Sequence, residues 1–207
     1  MSRIRVLVVD DHPVVRTGLA AVIAQQADLE LVAEAEDGAR AVALCREHRP
    51  DVVLMDLRMP VMDGVAAISA IRSEFPAAGI LALTTYEGDG DIRRALEAGA
   101  RGYLLKDMLL TEVIPAVRAV HRGERVIPPA VAVRLAEYPP GRDLTPREIE
   151  VLSLVARGLA NKAVAHAIGR TDETVKVHLK NIFAKLGVTD RTQAVTVALA
   201  RGLIHQD

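Results

Sequence analysis

Five short apolar stretches alternate with amphipathic stretches of helical spacing in the first 121 residues, and this alternation limits the possible folds more than any other feature. The apolar stretches lie near residues 4–9, 30–35, 51–55, 79–84 and 101–105, and the helical patterns near 13–26, 38–48, 64–75, 89–98 and 109–121. Strands that are apolar on both faces, such as Val52-Val53-Leu54-Met55, indicate a parallel sheet covered by helices on both sides. Right-handed crossovers then predict a doubly wound, five-stranded α/β fold.

Polar side chains stand at the ends of four of the five predicted strands. Asp10 and Asp11 follow the first strand and Asp56 ends the third, while Thr84 ends the fourth and Lys106 follows the fifth. Ligands of doubly wound sheets bind outside the carboxyl ends of the strands, so these side chains are expected to converge. Clustered carboxylates repel one another unless a cation neutralises them, and an oxygen-rich set suits Mg²⁺. The sequence therefore predicts a magnesium site at this edge.

Each of these residues has a plainer explanation when it is taken alone. Asp10 or Asp11 could cap the helix that starts near Pro13. Thr84 could be an ordinary strand-end residue, and Lys106 could be a solvated charge. Their joint occurrence at four strand ends of one sheet makes coincidence a poor account of the set.

The sequence around these positions resembles the receiver domain of two-component response regulators over residues 4–121. The resemblance is carried by Val8-Val9-Asp10-Asp11-His12, by Asp51-Val52-Val53-Leu54-Met55-Asp56-Leu57-Arg58-Met59-Pro60 with Asp63-Gly64, by Leu83-Thr84-Thr85, and by Gly102-Tyr103-Leu104-Leu105-Lys106. Receivers have a flavodoxin-like fold, which agrees with the sheet predicted above.

The resemblance implies a phosphoryl acceptor and the groups that surround it. Asp56 would accept the phosphoryl group, and Asp11 and Asp56 would bind Mg²⁺ together with the backbone carbonyl of Arg58. Asp10 would contribute through water. Thr84 and Lys106 would hold the phosphoryl oxygens.

The resemblance also implies a conformational switch. Thr84 would move inward towards the phosphoryl group, and Tyr103 would rotate into the space that Thr84 vacates. Tyr103 could otherwise be a half-buried packing aromatic, and its place three residues before Lys106 favours the switch.

A composition change separates this region from the C-terminal third of the chain. Pro128-Pro129 and Pro139-Pro140-Gly141 bracket residues 130–138, which could form a short helix. Such a stretch is typical of a domain boundary. We therefore predict a receiver domain at residues 1–122, a linker at 123–142 and a second domain at 143–207.

The second domain is predicted to contain four helices. Thr145-Pro146-Arg147-Glu148 is a capping box that starts the first helix. The second helix covers Asn161–Ile168, the third runs from Thr171 to Leu186, and the fourth begins at Asp190. The short second helix, the turn after it and the longer third helix fit a helix-turn-helix, whose third helix would enter the major groove of DNA.

The third helix has two different faces. Val175, Leu179, Ile182, Phe183 and Leu186 form an apolar stripe at helical spacing. The opposite stripe consists of Glu173, Lys176, Val177 and Lys180. Spacing alone leaves open an ordinary four-helix module with a solvated charged face.

Residues 143–204 resemble the LuxR-type DNA-binding domain, so the whole chain resembles a response regulator of the NarL/FixJ type. The motifs are Leu144-Thr145-Pro146-Arg147-Glu148, Gly158-Leu159-Ala160-Asn161-Lys162, Thr174-Val175-Lys176-Val177-His178-Leu179 and Lys185-Leu186-Gly187-Val188. The resemblance implies major-groove contacts by Lys176, Val177 and Lys180, and weaker phosphate contacts by Asn161, Lys162 and Arg191. It also implies a dimerisation helix that contains Val195, Val197, Ala198 and Ala200.

Charge and cysteine usage agree with this organisation. Residues 1–140 carry 16 Lys and Arg against 20 Asp and Glu, whereas residues 141–207 carry 10 against 7. The basic C-terminal part suits a polyanionic partner. Cys45 is the single cysteine, so an intramolecular disulfide is impossible and a cysteine-based zinc site is disfavoured. No signal peptide or membrane-length apolar run is evident, so we expect a cytoplasmic protein.

These observations lead to one main hypothesis and two alternatives. A sensor histidine kinase would phosphorylate Asp56, and phosphorylation would favour a homodimer that binds double-stranded DNA; the chain would not be an enzyme beyond promoting its own phosphorylation and dephosphorylation. One alternative is a haloacid-dehalogenase-like phosphatase, although Asp10-Asp11-His12 lacks the Asp-x-Asp pattern expected there. The other is a DNA-binding regulator whose receiver is a phosphate-independent dimerisation or ligand-sensing module.

Overall fold

A computed structural model describes residues 3–84, 89–129, 132, 144–201 and 203–204 of the chain. Two compact units are formed, one mainly by residues 3–84 and 92–129 and the other mainly by the described residues from 144 onward. The predicted short helix at 130–138 lies almost entirely outside the described residues. In the described ranges, no helix is both long enough and apolar enough to cross a membrane.

The first unit is built on a five-stranded parallel sheet. Its strands are β1 (Ile4–Val9), β2 (Leu29–Ala35), β3 (Val52–Asp56), β4 (Gly79–Thr84) and β5 (Gly102–Leu105). They lie in the order β2-β1-β3-β4-β5, and each neighbouring pair is parallel. The order reverses between β1 and β3, which is the switch point where a doubly wound sheet binds its ligands. The predicted fold class is confirmed.

Five helices belong to this unit, and each begins and ends within two residues of the predicted position. They are α1 (Pro13–Ala24), α2 (Gly38–His48), α3 (Gly64–Glu74), α4 (Asp89–Glu97) and α5 (Leu109–His121). Helix α1 contacts α5, and α2 contacts α3. Val6 and Leu54 of the sheet pack in one core with Leu19 of α1 and Val117 of α5. Because strand residues alternate in direction, their buried neighbours such as Val53 point to the opposite layer.

The chain returns to the edge of the sheet after α5. Val126 forms a parallel bridge with Gly102, and its carbonyl accepts a hydrogen bond of 2.9 Å from the Tyr103 amide. The Val126 amide in turn donates to the Arg101 carbonyl at 3.1 Å. These bonds cover part of the open edge of β5, which would otherwise expose unpaired backbone groups. Residues near 126 are therefore attached to the first unit, although the sequence suggested that the linker begins at 123.

The second unit contains four helices around its own core. They are α6 (Pro146–Ala156), α7 (Asn161–Ala167), α8 (Asp172–Leu186) and α9 (Arg191–Ala200). Thr145, Thr171 and Asp190 cap the first, third and fourth of these through side-chain hydrogen bonds. Val151, Val164, Val175, Ile182 and Ala194 are among the fully buried core residues. The predicted positions of these helices are confirmed to within a residue or two.

Candidate functional site

Three carboxylates meet at the carboxyl ends of β1 and β3. Asp10 and Asp11 follow β1, and Asp56 is the last residue of the adjacent β3. Potential ligand atoms of these residues and of His12 all lie within 4.8 Å of one another. Asp10 and Asp56 are buried, whereas Asp11 is partly exposed. The three carboxylates of this cluster are compatible with Mg²⁺, which prefers oxygen ligands.

Lys106 lies between two of these carboxylates. Its Nζ is 2.6 Å from Oδ2 of Asp10 and donates a hydrogen bond of 2.8 Å to Oδ2 of Asp56. Only 8% of the Lys106 side chain is exposed, since the short 3-10 turn after β5 carries the side chain inward. A buried charge is costly unless it is paired, so this ammonium and the two carboxylates stabilise one another.

Burial and charge have opposite effects on the pKa values of this site. Burial raises the pKa of Asp56, and the hydrogen bond from Lys106 opposes this effect without cancelling it. For Lys106, burial lowers the pKa, but the hydrogen bonds to Asp10 and Asp56 outweigh it, so the pKa of Lys106 is raised. The ammonium therefore remains charged at neutral pH and favours the carboxylate form of Asp56.

The backbone around Asp56 is held by the start of α3. Oδ1 of Asp63 caps this helix by accepting a hydrogen bond of 2.8 Å from the Ala66 amide. The Gly64 amide donates to the Leu57 carbonyl at 3.1 Å. A Cβ at Gly64 would lie 2.1 Å from the Asp56 carbonyl oxygen, so only glycine fits there. The Asp63-Gly64 pair thus seats α3 directly against the strand end that carries Asp56.

Short hydrogen bonds also orient the carboxylates themselves. The His12 amide donates to Oδ1 of Asp10 at 2.9 Å, and the Arg58 amide donates to Oδ1 of Asp56 at 3.3 Å. In addition, the Arg16 guanidinium donates to the Asp10 carbonyl at 2.7 Å. The amide bonds thus hold one oxygen each of the Asp10 and Asp56 carboxylates, and Arg16 holds the backbone of Asp10.

Thr84 and Tyr103 lie on β4 and β5, further along the same edge. Leu83, next to Thr84, pairs with Asp56, and Tyr103 pairs with Ala82. Both Thr84 and Tyr103 are fully buried. Tyr103 is therefore more deeply buried than the half-buried packing aromatic that was one of its two interpretations, and its burial is compatible with both a packing role and a switch role.

His12 is a member of the cluster that the sequence analysis did not select. Its Nδ1 lies 2.7 Å from Oδ1 of Asp11 and 3.4 Å from Oδ1 of Asp10, and 66% of its side chain is exposed. The signal was its position directly after two aspartates at a strand end. The imidazole lies on the solvent side of the carboxylates.

In the second unit, helix α8 exposes the stripe that the sequence predicted to face outward. Glu173, Lys176, Val177 and Lys180 are exposed, whereas Val175, Leu179 and Ile182 on the other side are buried. The Val177 side chain is 57% exposed, although valine is among the residues most often buried. The exposed stripe combines two lysines, one carboxylate and one apolar side chain, a set of groups that can contact both phosphates and base edges.

Lys176 is paired within its own helix. Its Nζ lies 2.8 Å from Oε1 of Glu173 and 3.1 Å from Oδ2 of Asp172. The hydrogen bonds from Lys176 to Glu173 and Asp172 raise the pKa of Lys176. The Lys176 ammonium is therefore held over the first turn of α8, beside two carboxylates that the sequence analysis did not count among the contact residues.

Helix α6 holds the helix-turn-helix in place. Glu148 forms both halves of the capping box with Thr145, and its Oε2 accepts a hydrogen bond of 2.7 Å from Lys185 near the end of α8. Although burial raises the pKa of Glu148, the hydrogen bonds from Lys185 and Thr145 lower it by more, so its net pKa is lowered. The Arg147 guanidinium donates to the Ile168 carbonyl at the end of α7. The first turn of α6 thus fixes both helices of the motif.

The three weaker candidates for phosphate contacts differ in their surroundings. Lys162 is exposed, and Asn161 is partly exposed at the start of α7. Arg191 is partly buried, and its guanidinium donates to the Leu159 carbonyl at 2.8 Å. The Arg191 guanidinium therefore already stabilises the turn before α7, a role that the sequence did not reveal.

One of the four residues proposed for dimerisation must be corrected. Ala198 is fully buried in the core of the second unit, so it has no surface to offer a partner. Val195 and Val197 are partly exposed and Ala200 is exposed. The error arises because α9 packs one side against α6 and α8, and small residues on a short helix do not reveal which side that is.

Comparisons with known proteins agree with this architecture. Residues 6–118 match the response regulator receiver domain, and residues 142–198 match the family described as bacterial regulatory proteins, luxR family. Response regulator protein VraR of Staphylococcus aureus is 42% identical over 207 residues, which cover 98% of this chain and 99% of VraR.

Solved structures give the same result. The response regulator ChrA of a heme-sensing two-component system is 40% identical, with a TM-score of 0.58 over 99% of this chain and all of ChrA. RcsB from Salmonella enterica serovar Typhimurium, bound to a promoter in the presence of the phosphomimetic BeF3−, is 27% identical, with a TM-score of 0.71 over 96% of this chain and 99% of RcsB. Another RcsB structure contains two dimers bound to two parallel DNAs. With its receiver sheet, its acidic cluster and its helix-turn-helix, the chain belongs to the LuxR-family two-component response regulators that carry a DNA-binding domain.

Proposed function

We propose that a sensor histidine kinase phosphorylates Asp56, and that phosphorylation controls dimerisation and DNA binding by the LuxR-type domain. The observation that carries this proposal is the position of the Lys106 ammonium, 2.8 Å from Asp56 and 2.6 Å from Asp10 at the switch point of the sheet. A carboxylate is a weak nucleophile towards phosphorus, so catalysis must come from positioning and charge compensation. Lys106 and the fixed orientation of Asp56 supply both.

Each residue at this site would have a different role in phosphoryl transfer. Asp56 would attack phosphorus as a carboxylate, the bond to the donor would break, and an acyl phosphate would remain on Asp56. Lys106 would exchange its contact with the Asp56 carboxylate for one with a phosphoryl oxygen. Thr84 lies one residue beyond Leu83, the partner of Asp56 on β4, and its hydroxyl would donate a hydrogen bond to another phosphoryl oxygen.

The acidic cluster would hold the Mg²⁺ that receivers use. Asp11, Asp56 and the Arg58 carbonyl would bind the ion directly, and Asp10 through water. The proposed ligands fit this ion because all of them are oxygen atoms, and three of the four residues that cluster here are aspartates. When bound, Mg²⁺ would offset the negative charge of the transferring group.

A change in Thr84 and Tyr103 would carry the signal away from Asp56. Both are buried on adjacent strands, so a displacement of Thr84 alters the space available to the Tyr103 ring. Tyr103 would thereby change the surface formed by α4 and β5. Such a switch can shift an equilibrium only by stabilising one state more than the other.

The kinase is the proposed phosphodonor because residues 6–118 match the receiver domain of response regulators. Val14 at the start of α1 is 85% exposed and Val61 after β3 is 88% exposed. Both residues follow strands that end at the Asp56 edge. These two exposed valines are therefore candidate contacts for the kinase.

DNA recognition is proposed for the exposed stripe of α8. Lys176, Val177 and Lys180 would enter the major groove, and Asn161 and Lys162 would contact phosphates. Arg191 is a weaker candidate because its guanidinium is engaged by the Leu159 carbonyl. The RcsB structures described above contain DNA, and one of them contains dimers. We propose by analogy a homodimer that uses Val197 and Ala200 of α9, with a smaller contribution from Val195.

The rest of the organisation follows from these roles. The proposed division is a receiver at residues 1–122, a linker at 123–142 and a DNA-binding domain at 143–207, with the linker tied to β5 near Val126. The chain would act in the cytoplasm, where its DNA lies. It would not turn over external substrates, because the proposed acyl phosphate stays on the protein until it is hydrolysed.

Intact-mass spectrometry tests this function. The native protein and Asp56→Asn are incubated with acetyl phosphate and Mg²⁺, while binding to promoter DNA is followed in parallel. One Mg²⁺-dependent phosphoryl adduct, absent from the variant and accompanied by tighter DNA binding, is the expected result. DNA binding that is the same with and without the adduct would contradict the proposal and favour a phosphate-independent regulator. Sustained release of phosphate from small monoesters would instead indicate a phosphatase.

A further inference from the structure

The first turn of α8 contains an exposed carboxylate that is not among the proposed DNA contacts. Glu173 is the second residue of this helix, and 81% of its side chain is exposed. It lies on the same face as Val177 and Lys180, at positions i, i+4 and i+7. The N-terminal residues of a recognition helix are the ones that reach base edges.

A carboxylate in this position is costly unless it finds a hydrogen-bond donor. DNA phosphates repel it, and the other residues of the stripe that contact DNA are cationic or apolar. In the major groove the N4 amino group of cytosine can donate a hydrogen bond to a carboxylate. Guanine and thymine offer only acceptors, and adenine places its N7 acceptor beside its N6 amino donor. Glu173 therefore favours cytosine, since guanine and thymine leave its charge unpaired and the N7 acceptor of adenine repels it.

Lys176 makes the entry of this carboxylate into the groove possible. Its ammonium lies 2.8 Å from Oε1 of Glu173 and 3.1 Å from Oδ2 of Asp172. The pairing supplies a countercharge that moves with the carboxylate. An ammonium has three donor hydrogens, so Lys176 can keep its bond to Glu173 and still donate to O6 or N7 of a neighbouring guanine.

We propose that Glu173 is a specificity-determining residue, which accepts a hydrogen bond from the N4 amino group of a cytosine in each half-site while Lys176 reads an adjacent guanine. This inference rests on the proposed placement of α8 in the major groove. Glu173 also has a structural explanation, because a negative charge in the first turn stabilises the helix dipole. The two roles differ in what they predict for base preference.

Selection from a randomised double-stranded DNA library separates these roles. Full-length native protein, Glu173→Gln and Glu173→Ala are each treated with acetyl phosphate and Mg²⁺, and the bound sequences are determined. The matched control is Asp172→Asn, which removes the neighbouring charge of the same turn and the other partner of Lys176.

The native protein and Asp172→Asn are expected to enrich cytosine at one position of each half-site. Glu173→Gln is expected to shift that position to adenine, because an amide pairs with the N6 and N7 groups of adenine. Glu173→Ala is expected to lose the preference, with roughly tenfold less discrimination at that position and an unchanged remainder of the motif, which corresponds to about 1.4 kcal/mol.

Two other outcomes are distinguishable. A motif that is identical in the native protein and both Glu173 variants would overturn the inference and leave Glu173 a helix-stabilising residue. If the phosphorylated native protein enriches no motif, the proposed sequence-specific DNA binding fails as well, and the inference fails with it.

Discussion

Gly64 offers a direct test of how the receiver site is built, because a single methyl group would displace it. A Cβ at Gly64 would lie 2.1 Å from the Asp56 carbonyl oxygen and 2.7 Å from Cα of Leu57. Both atoms belong to the backbone and cannot rotate away as a flexible side chain could. In Gly64→Ala, α3 or the end of β3 must therefore move by roughly 1 Å to reach an ordinary contact distance, as in other overpacked sites.

The energetic cost follows from this displacement. Overpacking alone costs about 1–3 kcal/mol. The hydrogen bond from the Gly64 amide to the Leu57 carbonyl, now 3.1 Å, would be stretched, and losing it adds about 1 kcal/mol. We expect Gly64→Ala to lower the unfolding free energy of the receiver by about 2–4 kcal/mol. A shift of about 1 Å at a reacting group can also slow a reaction by about 10²-fold, so the phosphorylation rate of Asp56 should fall steeply.

Gly18→Ala is the matched control for this change. Gly18 lies within α1, and a Cβ there would meet nothing within 4 Å. Replacing an exposed helical glycine by alanine should raise stability by up to about 1 kcal/mol, with an unchanged phosphorylation rate. The assays are urea denaturation of the full chain and the initial rate of adduct formation by intact mass. Native stability and a native phosphorylation rate in Gly64→Ala would refute this account of the contact.

Two further predictions concern the DNA-binding domain. The pKa of Glu148 is below its ordinary value of 4.5. The Glu148 bonds to Lys185 and Thr145 therefore stabilise the domain above pH 4.5, and this stabilisation is lost as the pH falls through the lower pKa of the folded state. Acid denaturation should be less pH-dependent in Glu148→Gln, and an unaltered pH profile would contradict this. Lys180→Gln should weaken DNA binding, and a phosphate contact by Lys180 would also reduce the slope of log affinity against log salt concentration by about 1. Equilibrium binding at several salt concentrations checks this. An unchanged slope and an unchanged affinity would show that Lys180 is not at the interface.

The parts of the fold that sequence could predict are those with a local signal. Alternating apolar and helical patterns placed all five strands, and side chains that directly follow a strand, such as Asp10 and Asp56, converge in any parallel sheet. Capping residues such as Thr145 and Asp190 act within one turn, so they also marked the helix starts correctly. In each case the signal in the sequence lies within a few residues of the strand end or helix start that it marks.

The features that sequence missed depend on long-range contacts. The bridge from Val126 to β5 and the bond from Arg191 to Leu159 join residues that are distant along the chain. The burial of Ala198 depends on how α9 packs, and its apolar pattern did not reveal that packing. Gly64 was quoted as part of a motif, but its role became evident only when the distance to the Asp56 backbone was known.

The contacts of Lys106 limit how strongly phosphorylation can act. A hydrogen bond to a charged group is worth about 1.5–3 kcal/mol, and the phosphoryl group would receive one from Thr84 and one from Lys106. Lys106 already contacts Asp10 and Asp56, so its bond is an exchange and adds little. The net bias then cannot exceed about one such bond, or roughly 150-fold in the equilibrium between states. A full reversal from 1:99 to 99:1 would need about 10⁴-fold. We therefore expect measurable DNA binding by the unmodified protein and a gain of no more than about 150-fold on phosphorylation. A gain near 10⁴-fold in titrations of the two forms would mean that groups beyond Thr84 and Lys106 sense the phosphoryl group.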